Sequence, residues 1–248
     1  MYPYLHIILP SYGVLAFIGF FLALMLLYFR KDKYQVDFTT FLKIFVSGAI
    51  GLIIGSKVLF AITQIPWLIE NFTLLNALLL IPQSGYVFYG GLIGTILGVW
   101  LYVIKTKCCK TDAAFNMIAP AIPLFHCFGR IGCFLAGCCY GKSFHTPVSF
   151  LGIITFNRVP TQLIESLYEL VLFVLCLVVE KVFPKVRLIM LYLPLYAVFR
   201  FIIEFFRGDT VRGFLLGLST SQWVSLMIII ALLVIIIKEK KVNIEQQD

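Results

Sequence analysis

Charge is scarce in this chain. Lys and Arg number 20 and Asp and Glu 12, together 13% of 248 residues, while 61% are hydrophobic. A soluble domain of this length needs a polar shell that such a composition does not supply, so that class is excluded. The basic residues form no stripe. They are spread over four turns, which excludes a nucleic-acid surface despite a net charge of +8. Internal repeats and low-complexity segments are absent, and without an inverted repeat a secondary transporter has little footing. No small-x-small cleavage site precedes residue 30, and the first positive charge follows the apolar run. The N-terminal run is therefore expected to persist as a span rather than leave as a signal peptide. The seven cysteines lack the paired C-x-x-C spacing of a zinc site, so no metal and no cofactor is expected.

What is present is a series of long apolar runs. A bilayer is crossed by about 20 apolar residues in a helix, and seven segments qualify: 11–29, 41–63, 86–104, 113–135, 162–182, 188–206 and 221–237. The class is an all-α polytopic membrane protein, read as one transmembrane domain over 1–248. Pro120 and Pro123 interrupt the fourth span. Segment 64–85, with Pro66, Trp67, Pro82 and Gly85, is too broken to span and is expected in the interface. Residues 142–160 are long enough for a small external cap. Of the 20 basic residues, 13 follow or flank the ends of spans one, three, five and seven. That bias predicts an N-terminus outside and a C-terminus in the cytoplasm.

An ionisable residue inside a span costs roughly 2.5–3.5 kcal/mol at insertion, so each is a functional candidate. In span six, Tyr196, Arg200, Glu204 and Arg207 recur at i, i+4, i+8 and i+11 and share one helical face. They read either as an internal ion-pair ladder, with Arg207 reaching the surface, or as a pocket for a lipid phosphate in which Glu204 holds an arginine. Guanidinium suits phosphate because its planar fork binds two oxygens and keeps its proton. In span four, His126, Arg130 and Cys133 share a face, and Cys138 follows. The thiols read as small packing residues or as a catalytic thiol with His126 as partner. In span three, Tyr89 precedes a small-residue face at Gly90, Gly91 and Gly94, suited to close packing or lipid-tail entry. Tyr12 and Lys57 are single polar residues near the same level; both read as anchors or as substrate contacts.

These pieces, taken in order, resemble the bacterial prolipoprotein diacylglyceryl transferases over nearly the whole chain: PSYG, GSKVLF, YGGLIG, PAIPL with GRIG, VPTQLIES, YAVFRFIIEFFRGD and STSQWVSL. The family signature G-R-x-G-N-F-x-N-x-E-x-x-G is matched at Gly129, Arg130, Gly132, Phe134 and Gly141. Cys133, Ala136 and Cys138 stand where the family has Asn, Asn and Glu, and Tyr89 stands where it usually has His. The span-six residues keep the family spacing.

The resemblance implies a multi-pass protein of the bacterial cytoplasmic membrane. It would take the diacylglyceryl group of phosphatidylglycerol and place it on the lipobox cysteine of a lipoprotein precursor, releasing glycerol phosphate. Arg130 and Arg200 would hold the phosphate. The general base would be His126, or else Glu204; Cys133 or Cys138 would serve in a covalent variant. Two other readings stand beside this one: a transferase of the same fold acting on a glycan or another protein, and a lipid-binding or transport protein without chemistry.

Overall fold

The computed structural model describes residues 4–6, 9–73, 86–150, 154–208 and 214–245. Its helices are α1 (Ser11–Arg30), α2 (Phe38–Thr63), α3 (Ile65–Glu70), α4 (Phe88–Thr106), α5 (Thr111–Ile118), α6 (Ala121–Ala136), α7 (Thr161–Val182), α8 (Leu188–Ile203) and α9 (Thr220–Glu245). Among the described residues seven segments are long and apolar enough to cross a membrane, with α5 and α6 together making the fourth. The break between them falls at Ala119–Pro120, because a proline ring removes an N–H and crowds the preceding turn. Of segment 64–85, residues 65–70 form the short α3, and 74–85 lie outside the described residues.

Apolar side chains cover the outside, and the charged side chains of the spans are sheltered within. Phe17, Phe29, Ile54 and Val171 are exposed, whereas Arg130, Glu165, Glu169, Arg200 and Glu204 are buried. That is the inversion a lipid solvent demands, since charges are sheltered only in the bundle interior. The packing relies on small residues. On α2 and α4, a Cβ on Gly94 would sit 2.0 Å from the Gly51 carbonyl oxygen, and one on Gly55 would sit 2.1 Å from that of Gly90. Two backbones approach this closely only where both lack side chains.

At one end of the bundle, the C-terminal ends of α1 and α7 are tied by charge. Arg30 donates twice to Glu180, at 2.8 Å from each terminal nitrogen, and also to the Met117 and Asn116 carbonyls. The Tyr34 hydroxyl donates to the same carboxylate. Its pKa is raised, first by burial and then by that hydrogen bond. At the opposite end, strands β1 (Ser143–Phe150) and β2 (Ile154–Arg158) form an antiparallel hairpin within the segment expected to be a cap. The hairpin is rooted beside the candidate site.

Candidate functional site

The site lies where α6 and α8 end and α7 begins. Glu165, one turn into α7, is fully buried and sits among three arginines. Its Oε1 lies 2.5 Å from Arg130 Nη2, 3.5 Å from Arg200 Nη1 and 3.7 Å from Arg207 Nη1. Arg200 also pairs with Glu204 at 2.7 Å and donates to the Ser221 hydroxyl. Three guanidinium groups therefore meet two carboxylates at this corner. Arg130 Nε has no acceptor among the described residues although it is buried. A buried donor without an acceptor is costly, and three guanidinium groups against two carboxylates leave an excess of positive charge that suits a further anion.

The arginines do not all come from one helical face. The α-helix of span six stops at Ile203 and tightens to a 3-10 turn over Glu204–Phe206. Arg207 follows in extended backbone, bridged to Gly141. Its side chain is only 5% exposed, so it turns into the bundle rather than out to the surface. A Cβ at Gly141 would meet the Val159 and Phe206 carbonyls at 2.4 and 2.9 Å. Lys142 N–H donates to Phe206 O, and Gly208 N–H to Tyr140 O. The chain before the hairpin thus fixes the position of Arg207.

One helical turn away, His126 Nδ1 is 2.8 Å from Glu169 Oε1, and the Tyr192 hydroxyl donates to the other oxygen at 3.4 Å. The His126 ring stacks on Phe88, with centroids 3.4 Å apart, and meets Tyr196 edge-on. Glu169 fixes the orientation of the ring through Nδ1, and Nε2 is the nitrogen left for chemistry.

α6 ends in a Schellman turn. Gly137 takes φ +75° and Cys138 N–H reaches back to Cys133 O. Cys139 then adopts φ +60°. Across this turn the sulfurs of Cys133, Cys138 and Cys139 come within 4.8 Å of one another. The turn is held by α7, where Gln162 donates to Cys138 O and Thr161 to Cys139 O, at 2.6 and 2.9 Å.

All three groups border one cavity of about 620 Å³. Arg130, Arg200 and Arg207 line one end, and apolar residues as far as Leu27, Val99 and Ile118 line the rest. From Tyr12 to Leu27 along α1 this spans about 22 Å at 1.5 Å per residue. A charged head end and a long apolar tail end are the shape of a phospholipid.

The model of the prolipoprotein diacylglyceryl transferase family matches residues 4–238. A phosphatidylglycerol–prolipoprotein diacylglyceryl transferase of Clostridium tetani is 36% identical over 230 residues, covering 89% of each chain. One of Campylobacter jejuni is 34% identical over 253 residues, covering 94% of this chain and 91% of the relative. The chain belongs to the prolipoprotein diacylglyceryl transferase family. A second Clostridium relative, the transferase numbered 2 of Clostridium perfringens, is 31% identical, covering 89% of this chain and 87% of its own.

Within this family frame, the structure gathers most residues picked from the sequence. Tyr12, Tyr89, Gly91, His126, Arg130, Cys133, Tyr196, Arg200 and Arg207 all line the cavity. Tyr89 hydroxyl is 2.5 Å from Ser225 Oγ. Glu204 reaches the site through Arg200, and Cys138 through the thiol cluster. Two residues fall elsewhere. Gly90 faces Gly55 of α2, and Lys57 lies over the Tyr86 ring beside a separate groove with Ile53 and Ile62. Sequence reasoning missed Glu165 and Glu169, and it saw Cys139 in the thiol cluster without choosing it as a site residue. The signal was available: two carboxylates spaced i, i+4 inside span five obey the same cost rule that exposed Arg200. The departures from the family signature at Cys133 and Cys138 converge in space, which linear spacing did not indicate.

Proposed function

We propose that this protein moves the diacylglyceryl group of phosphatidylglycerol onto the thiol of a lipobox cysteine in a lipoprotein precursor. Glycerol phosphate leaves, and the reaction takes place at the outer face of the bacterial cytoplasmic membrane. The observation that carries this reading is the convergence of Arg130, Arg200 and Arg207 on one end of a long apolar cavity. The excess guanidinium charge receives the phosphodiester, and the apolar length receives an acyl chain. The orientation read from the basic turns puts this end outside, where a precursor thiol emerges from the membrane.

The chemistry is displacement at the glyceryl carbon. As the carbon–oxygen bond breaks, negative charge gathers on the phosphate. Arg130, Arg200 and Arg207 are already oriented by Glu165 and Glu204, so stabilising that charge requires no reorganisation. His126, aligned by Glu169, accepts the thiol proton. Tyr89 and Tyr196 form the wall beside the reacting centre. Glu204, paired with Arg200 at 2.7 Å, acts as a positioning residue rather than as the base.

The test is to incubate the purified protein with phosphatidylglycerol and a lipobox peptide and weigh the products. A peptide heavier by one diacylglyceryl group, with free glycerol phosphate, is the expected result. Lipid consumed while the peptide stays unmodified would assign a different acceptor. Release of diacylglycerol in place of glycerol phosphate would mean that a different bond is broken.

A further inference from the structure

The mechanism leaves three thiols at the wall of the site without a role. Cys133 and Cys139 border the phosphate cavity, Cys138 is exposed, and their sulfurs lie within 4.8 Å of one another. Zinc binds thiolate at about 2.3 Å in tetrahedral geometry, which places ligand sulfurs about 3.8 Å apart. The cluster needs to contract by no more than about 1 Å to meet that value. The turn is held for the purpose: the carbonyls of Cys138 and Cys139 are tied to Gln162 and Thr161. Cys139 is held in the left-handed region, which a non-glycine residue enters only at a cost. Three thiolates with one divalent ion carry a net negative charge. Arg130 lies 3.9 Å from Cys133 Sγ through Nη1.

We propose that Cys133, Cys138 and Cys139 form a three-thiolate site for a zinc-type ion, with its fourth position open to the phosphate cavity. This rests on the reading above that the acceptor is a thiol. The acceptor thiol binds the fourth position as a thiolate, and its proton passes to His126 on the same cavity. The sulfur then attacks the glyceryl carbon. One S–C bond forms and one C–O bond breaks, with the electron pair leaving on the phosphate oxygen. The products are a thioether and glycerol phosphate, and the ion keeps its three protein ligands and its oxidation state. Thiolate donors make a bound thiolate electron-rich, which suits alkylation of sulfur. The linear spacing argued against zinc because it was compared with paired C-x-x-C motifs; here a helix end and one turn supply all three ligands.

The first measurement is metal binding by the full-length reduced protein in detergent, titrated with Zn2+ and with Cd2+, whose thiolate charge-transfer band reports sulfur ligation directly. One ion per chain is expected, retained in a Cys108→Ser, Cys109→Ser double variant. Each of Cys133→Ser, Cys138→Ser and Cys139→Ser should weaken binding about 100-fold or more, above the 10–100-fold typical of losing an outer partner. Absence of a charge-transfer band in the wild type, binding that follows Cys108 and Cys109, or a disulfide among the three thiols would overturn the site. The second measurement is transfer to the lipobox peptide by protein stripped of metal and then reloaded with Zn2+. Loss and recovery of the rate are expected, and a full rate after stripping would overturn the role given to the ion. An ion bound as expected, with no thiol peptide modified under any condition, would overturn the acceptor assignment and leave the site standing.

Discussion

Replacing Glu165 by Gln should make the protein less stable and yet a better lipid binder. Glu165 reaches Arg130, Arg200 and Arg207 together. Gln keeps the shape and removes the charge. Removing one partner from a buried ion cluster costs about 3–5 kcal/mol, because the remaining charges lose their compensation. For a chain of this size each kcal/mol is worth about 2–4 °C in Tm, so the variant should melt roughly 6–20 °C lower in neutral detergent. At the same time the positive excess at the corner grows from one charge to two. Two unit charges 4 Å apart interact by about 4 kcal/mol at an effective dielectric constant of 20. If only a third of that survives reorganisation, phosphatidylglycerol binds about tenfold tighter. The assay is thermal unfolding with and without phosphatidylglycerol, alongside equilibrium lipid binding. The Tm deficit should narrow as lipid is added. A variant with unchanged Tm, or one that binds the lipid more weakly, would refute the view that Glu165 occupies a place the phosphate shares.

Other substitutions test other parts of the arrangement. His126→Ala should abolish peptide modification while lipid binding survives, and Glu169→Gln should lower kcat by about 10²-fold or more with little change in KM, both read by product mass over time. Gly94→Ala forces a methyl to within 2.0 Å of the Gly51 carbonyl and should cost at least about 1–3 kcal/mol in detergent unfolding. Gly129→Ala, where nothing lies within 4 Å, should leave stability unchanged. Glu180→Gln at the far end removes the counter-charge of Arg30, which keeps the Met117 and Asn116 carbonyls; it should cost about 1.5–3 kcal/mol, without altering the affinity for phosphatidylglycerol. Tyr89→Phe removes one hydrogen bond to Ser225 and should cost about 1 kcal/mol of stability.

Much of this was legible in the sequence, and the reasons differ by level. The seven spans follow from bilayer thickness, a constraint that acts on each segment by itself. Arg130, Arg200 and His126 stood out because a charge or imidazole inside an apolar run is costly wherever its partner lies. Glu165 and Glu169 were legible by that same cost rule; what the sequence does not carry is which arginines and which imidazole they meet, since that depends on the helices α7 packs against. Arg207 was placed on a helical face that ends three residues too early, since nothing in FRFIIEFFRGD marks the change to 3-10 geometry. Cys139 was seen as part of the thiol cluster but not chosen as a site residue, because linear spacing past a helix end gives its sulfur no direction. In the structure Cys139 has left-handed backbone and its sulfur lies near those of Cys133 and Cys138, with the turn anchored by Gln162 and Thr161.

Gly141 sets the outer hairpin apart from the arginine corner. The hairpin legs are closed by the Val159 N–H donating to Lys142 O and the Gly141 N–H donating to Val159 O. Below that closure, Gly141 sits against the backbone that carries Arg207. Arg158, over the Tyr140 ring, is a hairpin residue that still touches this closure. Sequence changes between residues 143 and 150 can therefore accumulate while the arginine corner stays in register.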